Sequence, residues 1–194
     1  LHGDAGVATR ADPYAFAKAV TAAVPDSAAL AIIRPGYGDV QGNRSPGIRG
    51  KGNGDNYTAD RLKQIGDAIA SAKAQLPRAR VILIGDNGGA AIAADIAGIR
   101  PSLVDGVVLV SCPCTLPEWR RYIAKKQPLG DPADAVPSLD PLKTAGGVAP
   151  GLRAVMLVGD EDQITPVEFS RPYAEALALR GIATDFRIVP DKAQ

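Results

Sequence analysis

The sequence contains few of the residues on which metal and redox sites depend. It has one histidine, two cysteines and one tryptophan among 194 residues. The two cysteines, Cys112 and Cys114, are separated by a single proline, and this C-x-C spacing is not that of a zinc site or a catalytic dithiol. We therefore expect no metal and no cofactor. A disulfide between these cysteines would close a very tight ring, so we expect two small, partly buried residues without a bond between them.

The sequence also lacks a strong charge and a long hydrophobic run. Its formal net charge is +1, which gives no electrostatic reason to expect a nucleic acid or an anionic membrane as a partner. No apolar run approaches the roughly 18 residues needed to cross a bilayer. With 46% hydrophobic residues, the chain is typical of one folded domain over residues 1–194. We expect a soluble protein, with the cytoplasm as the favoured compartment; the composition leaves the oligomeric state open.

A strand, a glycine-rich turn and a helix follow one another in the middle of the chain. Val81 to Ile84 form a short apolar run, Gly85-Asp86-Asn87-Gly88-Gly89 form the turn, and a helix of small residues begins near Ala90. A strand that becomes a helix within about four residues needs glycines around the central residue, because strand and helix nearly touch there. The pattern is that of the nucleophile elbow G-x-S-x-G, with Asn87 in the position of the serine.

Two further segments strengthen this pattern. Leu1-His2-Gly3-Asp4 resembles an HG loop, and Gly159-Asp160-Glu161-Asp162-Gln163-Ile164-Thr165-Pro166 resembles a loop that carries a triad acid. In this order, the three segments resemble those of α/β-hydrolases, nearest to the serine esterase and prolyl-oligopeptidase-like branches. The resemblance implies a carboxylic ester or peptide-like acyl compound as substrate. It assigns the nucleophile position to Asn87, the triad acid to Asp162, and the oxyanion-hole amides to Gly88 and Asp4.

The sequence departs from that family in two places. An amide nitrogen is delocalised into its carbonyl, so Asn87 is no nucleophile, and no histidine follows Asp162. In the family, the histidine follows the last strand, and an apolar strand precedes the HG loop. We therefore expect the histidine beyond Gln194 and that apolar strand before Leu1. Two functions stay open: a serine hydrolase in an inactivated or truncated form, and a non-catalytic protein that binds a ligand or a partner. A third hypothesis is that the Asn87-Gly88 pair deamidates to an aspartate.

The alternation of apolar runs with helical patterns predicts an α/β fold with a doubly wound, mostly parallel sheet whose N-terminal strands are truncated. The predicted strands begin at Ala29, Val81, Gly106, Arg153 and Thr184. The glycine-rich turn after the first of them is followed by more loop, which argues against a dinucleotide-binding motif.

Residues 113–150 change in composition and lie where the family carries a cap or lid insertion. Trp119 and Tyr122 in this segment could face the substrate, or their helix could simply pack its aromatic side chains on the sheet. The resemblance also places His2 and Tyr37 near the pocket, and the long glycine-rich loop over residues 34–56 is a candidate pocket wall. His2 is expected to shape the HG loop and not to act as the general base.

Overall fold

The computed structural model describes residues 1–3, 12–39, 41–49, 57–126 and 137–193. These ranges contain six α-helices and four strands. The helices are α1 (Pro13–Ala23), α2 (Ala59–Gln75), α3 (Gly88–Ile99), α4 (Leu116–Lys126), α5 (Pro141–Thr144) and α6 (Arg171–Leu179). The strands are β1 (Ile82–Asp86), β2 (Gly106–Val110), β3 (Arg153–Gly159) and β4 (Ala183–Val189).

The four strands form one parallel sheet in the order β1-β2-β3-β4. In the register, Ile84 lies beside Val108, and Val108 lies beside Val155. The predicted parallel sheet with flanking helices is therefore confirmed. Because all strands run in one direction, the β1–α3 turn (residues 85–89) and the loop after β3 leave the sheet at the same edge, where ligands bind in folds of this kind.

Helix α3 packs against β1 and β2 at very short range, and this explains its small residues. Every residue from Gly88 to Gly98 in this helix is buried. A Cβ atom on Gly85 would lie 2.6 Å from the Cα of Ala90, and one on Gly89 would lie 2.6 Å from the carbonyl oxygen of His2. Real Cβ contacts are longer than this, so the turn requires glycine at both positions.

The predicted strand at Ala29–Ile33 is wrong, because the described part of the chain contains no strand over these residues. A strand requires a hydrogen-bonded neighbour, and the free edge of β1 is occupied by Leu1. The nitrogen of Leu1 donates to Ile84 O at 2.8 Å, and Leu1 O accepts from Asp86 N at 3.2 Å. Segment 29–33 therefore does not pair with β1, and Leu30 is 66% exposed.

The expectation of two unbonded cysteines is also wrong. Cys112 and Cys114 form a disulfide, with their Cα atoms 5.1 Å apart, which lies within the usual range for bonded cysteines. The chain turns at Pro113, and the nitrogen of Cys114 donates to Cys112 O at 2.8 Å. This turn brings the two side chains together, which the C-x-C spacing alone did not predict. Both cysteines are fully buried.

The predicted cap over residues 113–150 contains α4, α5 and a 3-10 turn at Ala145–Gly147, with residues 127–136 outside the described ranges. Leu116, Trp119 and Ile123 of α4 belong to the main hydrophobic core. Trp119 therefore packs into the core beside the sheet, as one of the two alternatives for this helix expected. The assignment of residues 113–150 as a lid stays a prediction.

Candidate active site

Asn87 lies in the sharp turn between β1 and α3, with φ 47° and ψ −116°. Positive φ is uncommon for a residue other than glycine and marks a locally strained backbone. The surrounding structure holds this conformation in place. Asn87 N donates to Val110 O at 2.9 Å, and Asn87 O accepts from Ala90 N at 2.9 Å. The strand ladder and the first turn of the helix thus fix the residue from both sides.

The side chain of Asn87 has partners at both ends of its amide. Its Oδ1 accepts from Gly88 N at 2.8 Å, and its Nδ2 donates to Thr165 Oγ1 at 2.9 Å. Asn87 is 7% exposed, so both bonds lie in a largely desolvated site. The Gly88 amide is one of the two predicted oxyanion-hole donors. The structure therefore places that donor against the neighbouring side chain of Asn87.

Asp162 lies in the loop after β3 and is only 2% exposed. Its Oδ1 accepts from Ile164 N at 2.8 Å and from Thr165 N at 2.7 Å. Its Oδ2 is buried and has no hydrogen-bond partner among the described residues. Thr165 thus connects the two predicted catalytic positions, since its amide binds Asp162 and its hydroxyl binds Asn87. The sequence analysis missed Thr165, although its position three residues after the acid is a usable signal.

His2 is held by the HG loop and by the backbone of Arg34. Its Nε2 accepts from Arg34 N at 3.2 Å, and its Nδ1 lies 2.8 Å from Gly3 O. If Nε2 accepts, Nδ1 carries the proton and donates to Gly3 O, so both ring nitrogens have partners. A Cβ atom on Gly3 would lie 3.3 Å from the Cβ of Asn87, which places the HG loop beside the β1–α3 turn. Asp4, the other predicted oxyanion-hole residue, lies outside the described residues.

Comparisons with known proteins show which fold this chain shares. The sequence profile of the Ndr family, which has an α/β-hydrolase fold, matches residues 46–129. No curated protein sequence matches the chain significantly. The acylaminoacyl peptidase of Pyrococcus horikoshii superimposes with a TM-score of 0.56 at 17% identity, over 71% of this chain and 24% of the peptidase.

Two smaller enzymes superimpose equally well. An esterase of Pyrococcus furiosus gives a TM-score of 0.56 at 14% identity, over 70% of this chain and 53% of the esterase. The monoacylglycerol lipase of Paleococcus ferrophilus gives 0.56 at 19% identity, over 84% of this chain and 73% of the lipase. The chain has the α/β-hydrolase fold. It spans about a quarter of the peptidase and about half of the esterase.

Within this α/β-hydrolase fold, two of the four predicted pocket residues contact the loop that carries Asp162. Trp119 Nε1 donates to Ile164 O at 2.8 Å, and Tyr122 Oη donates to Gln163 O at 2.9 Å. Helix α4 is therefore tied to the backbone of this loop. These bonds use the polar atoms of both aromatic side chains, and a substrate-facing role for either residue stays a prediction.

The other two predicted pocket residues, His2 and Tyr37, contact each other with ring centroids 4.9 Å apart. Tyr37 is buried, and the guanidinium groups of Arg34 and Arg49 lie 4.7 and 5.0 Å from its ring centroid. Such cation–π contacts stabilise a folded loop. The structure thus divides the four residues into a pair beside the HG loop and a pair beside the acid loop of the hydrolase fold.

The described residues offer neither a metal site nor a membrane-spanning helix. They contain no group of three or more histidine, cysteine or acidic residues arranged to hold a metal ion. Among the same residues, every helix is too short or too polar to cross a bilayer.

Proposed function

We propose that this protein is a non-catalytic α/β-hydrolase-fold protein that acts by binding a ligand or a protein partner. The observation that carries the proposal is the bond of 2.8 Å between Asn87 Oδ1 and Gly88 N. In a serine hydrolase, the corresponding amide must be free to stabilise the tetrahedral oxyanion. Here the Gly88 amide already donates to the side chain of Asn87, so it is not available to an oxyanion.

Two further observations support a non-catalytic role. His2, the sole histidine, has partners at both ring nitrogens and is no general base for position 87. The Ndr family, whose profile matches residues 46–129, is generally non-catalytic. Removal of triad members typically leaves only about 10³ to 10⁴ over the uncatalysed rate, which comes from binding and the oxyanion hole. Here the Gly88 amide already donates to Asn87 Oδ1, so it does not contribute to this residual rate either.

A second candidate function is that of a disabled serine hydrolase for a carboxylic ester or peptide-like acyl substrate. The observation that favours it is Asp162, whose Oδ1 is held by two backbone amides while Oδ2 is buried without a partner in the described chain. A triad acid offers one oxygen to a histidine in this way. In this reading, Gly88 and Asp4 supply the oxyanion hole and residues 113–150 form the lid.

The two candidates predict different behaviour when a nucleophile and a base are restored. The test measures hydrolysis of short-chain nitrophenyl esters by wild type and Asn87→Ser, each with free imidazole supplied as the missing base. Asn87→Ser also removes the oxygen that occupies the Gly88 amide. A binding protein should hydrolyse the esters no faster than imidazole alone.

The matched control is the double variant Asn87→Ser/Asp162→Asn. If Asn87→Ser gained an imidazole-dependent rate that the double variant lost, Asp162 would act as a triad acid and the non-catalytic proposal would fail. If all three proteins stay at the imidazole background while circular dichroism shows that they are folded, the proposal of a binding protein stands.

A further inference from the structure

We propose that Asn87-Gly88 is a site of covalent self-modification, at which the folded chain converts Asn87 to aspartate and isoaspartate through a cyclic imide. The proposal does not depend on the function proposed above. It rests on the backbone and side-chain geometry of Asn87, together with the absence of a side chain on Gly88. Both features belong to the sharp β1–α3 turn.

The backbone of Asn87 already has the torsion angle that the cyclic imide requires. The imide ring contains Cβ, Cα and C of the asparagine and N of the next residue, so that nitrogen must eclipse Cβ about the Cα–C bond. In an L-residue, Cβ and the backbone nitrogen project about 120° apart about this bond, so the ring requires ψ near −120°. Asn87 has ψ −116°. Extended and helical residues have other ψ values, so an unfolded chain seldom adopts this geometry.

The side chain is also in place for ring closure. Asn87 Oδ1 lies 2.8 Å from Gly88 N. Because a C=O bond is about 1.23 Å long, the Cγ atom that Gly88 N would attack lies within about 4 Å of it. The bond from Nδ2 to Thr165 Oγ1 at 2.9 Å holds the amide on this side of the turn. Proximity of this kind replaces the conformational search that a flexible chain must make before reaction.

Loss of the Gly88 N–H does not disrupt helix α3. Gly88 is the first residue of α3, and the first four N–H groups of a helix have no acceptor within it. The N–H group of Gly88, which is lost on ring closure, donates only to Asn87 Oδ1 among the hydrogen bonds of the described residues in this turn. Gly88 carries no Cβ that could hinder the approach of the two reacting atoms. The product carboxylate then lies at the N-terminus of α3, where negative charge is favoured.

The reaction needs only water. Hydroxide removes the proton of Gly88 N, and this nitrogen attacks Cγ of Asn87 to form the Gly88 N–Cγ bond. The Cγ–Nδ2 bond then breaks, and the leaving nitrogen takes a proton from water and departs as ammonia. Water next adds to one of the two imide carbonyls and breaks its bond to the ring nitrogen. Opening at Cγ gives aspartate, and opening at the backbone carbonyl gives isoaspartate. In the net reaction, the side-chain amide and one water molecule give a carboxylic acid and ammonia.

The test compares the folded chain with the same chain in urea at one mildly alkaline pH. Trypsin releases residues 81–120 as one fragment because Arg100 precedes Pro101, and Asn87 is the only side-chain amide in it. Mass spectrometry follows the gain of about one dalton. We expect this fragment to convert roughly tenfold faster in the folded protein than in urea. An equal or slower rate in the folded protein would overturn the proposal.

Two controls belong to the same experiment. Asn53-Gly54 lies in a separate tryptic fragment, residues 52–61, which also contains Asn56. Fragmentation of this peptide assigns the gain of mass to Asn53, and the rate at Asn53 in urea is that of an Asn-Gly pair without fixed structure. Asn87→Gln keeps an amide but lengthens the side chain, so that the five-membered ring cannot form. The 81–120 fragment of this variant should keep its mass, and a gain of mass there would show that the amide at position 87 is lost without passing through the five-membered imide.

Discussion

The two ends of helix α3 both adjoin a buried carboxyl group, but they hold it differently. At the N-terminal end, Asp162 receives two backbone N–H groups on one oxygen. Near the C-terminal end, Asp95 is fully buried and receives one hydroxyl, from Thr144 Oγ1 at 2.8 Å. Its other oxygen and the hydroxyl of Tyr173 are buried without a partner among the described residues.

The two carboxyl groups therefore differ in the number of hydrogen-bond donors that they receive, two at Asp162 and one at Asp95. Burial raises the pKa of Asp95 to about 8, the bond from Thr144 opposes the shift, and the nearby charge of Asp140 adds to it. Burial also raises the pKa of Tyr173. Asp95 is therefore mostly protonated at neutral pH, which is the usual outcome for a carboxyl group in an apolar interior. The turn end offers donors to a carboxylate, whereas the far end holds a neutral acid.

Both ends rely on glycine for close packing, and loss of either glycine should have the largest effect. A Cβ on Gly85 would lie 2.5 Å from the carbonyl carbon of Gly89, and one on Gly98 would lie 2.9 Å from the carbonyl carbon of Thr144. Backbone atoms cannot move aside cheaply, so we expect Gly85→Ala and Gly98→Ala each to destabilise the fold by roughly 5 kcal/mol or more. Urea denaturation followed by circular dichroism measures this loss.

Gly146→Ala is the matched control, because a Cβ at that position would meet nothing within 4 Å. We expect it to change the free energy of unfolding by less than about 1 kcal/mol. If Gly98→Ala were as mild as Gly146→Ala, the far end of α3 would be packed more loosely than the β1–α3 turn, and the two ends would differ in packing as well as in polarity.

Asp95 should make the stability of the fold depend on pH. Its pKa is raised from 3.8 to about 8 in the folded protein. Between these values the unfolded chain releases a proton that the folded chain keeps, so the free energy of unfolding falls as pH rises through this window. Asp95→Asn removes the titration. We expect the variant to be roughly 5 to 6 kcal/mol more stable than wild type near pH 9, and similar to it near pH 4.

Chemical denaturation of both proteins from about pH 4 to pH 9 measures this difference. Asp162→Asn serves as the comparison at the other end of α3, because it removes a carboxylate that two amides hold. A constant difference between wild type and Asp95→Asn across the range would show that Asp95 does not carry the pH dependence, and the contrast between the two ends would be lost.

Sequence patterns predicted the parallel sheet and the sharp turn around Asn87, but not every contact between neighbours in the chain. The turn around Asn87 follows from the spacing of its glycines, and the donors to Asp162 lie two and three residues further along the chain. Segment 29–33 has the composition of a strand, but a strand also needs a neighbour to pair with, and composition does not supply one. The disulfide was missed because the turn at Pro113, and not the C-x-C spacing, sets the distance between the two cysteines.

The far end of α3 could not have been predicted in the same way. Asp95 is the only charged residue in the apolar stretch from Asn87 to Ile99, and this is a signal that the sequence analysis did not use. Its partner Thr144 lies 49 residues away, and the sequence gives no indication of that contact. The glycine spacing therefore predicted one local turn, whereas the turn at Pro113 and the contact between Asp95 and Thr144 required the structure.

The smallest effects are expected at two threonines, Thr165, which binds Asn87 at one end of α3, and Thr144, which binds Asp95 near the other. Thr165→Val removes the acceptor of Asn87 Nδ2, and because no titrating group shares that bond, we expect a loss of about 1 kcal/mol at every pH. Thr144→Val removes the donor to Asp95, which costs about 1 kcal/mol while Asp95 is protonated and roughly 2 kcal/mol once it ionises. The pH dependence of each loss, measured by denaturation near pH 6 and pH 9, therefore distinguishes the two ends. If Thr165→Val became more costly at alkaline pH, an ionising group would share the Asn87–Thr165 bond, and a titrating site would lie beside the β1–α3 turn as well.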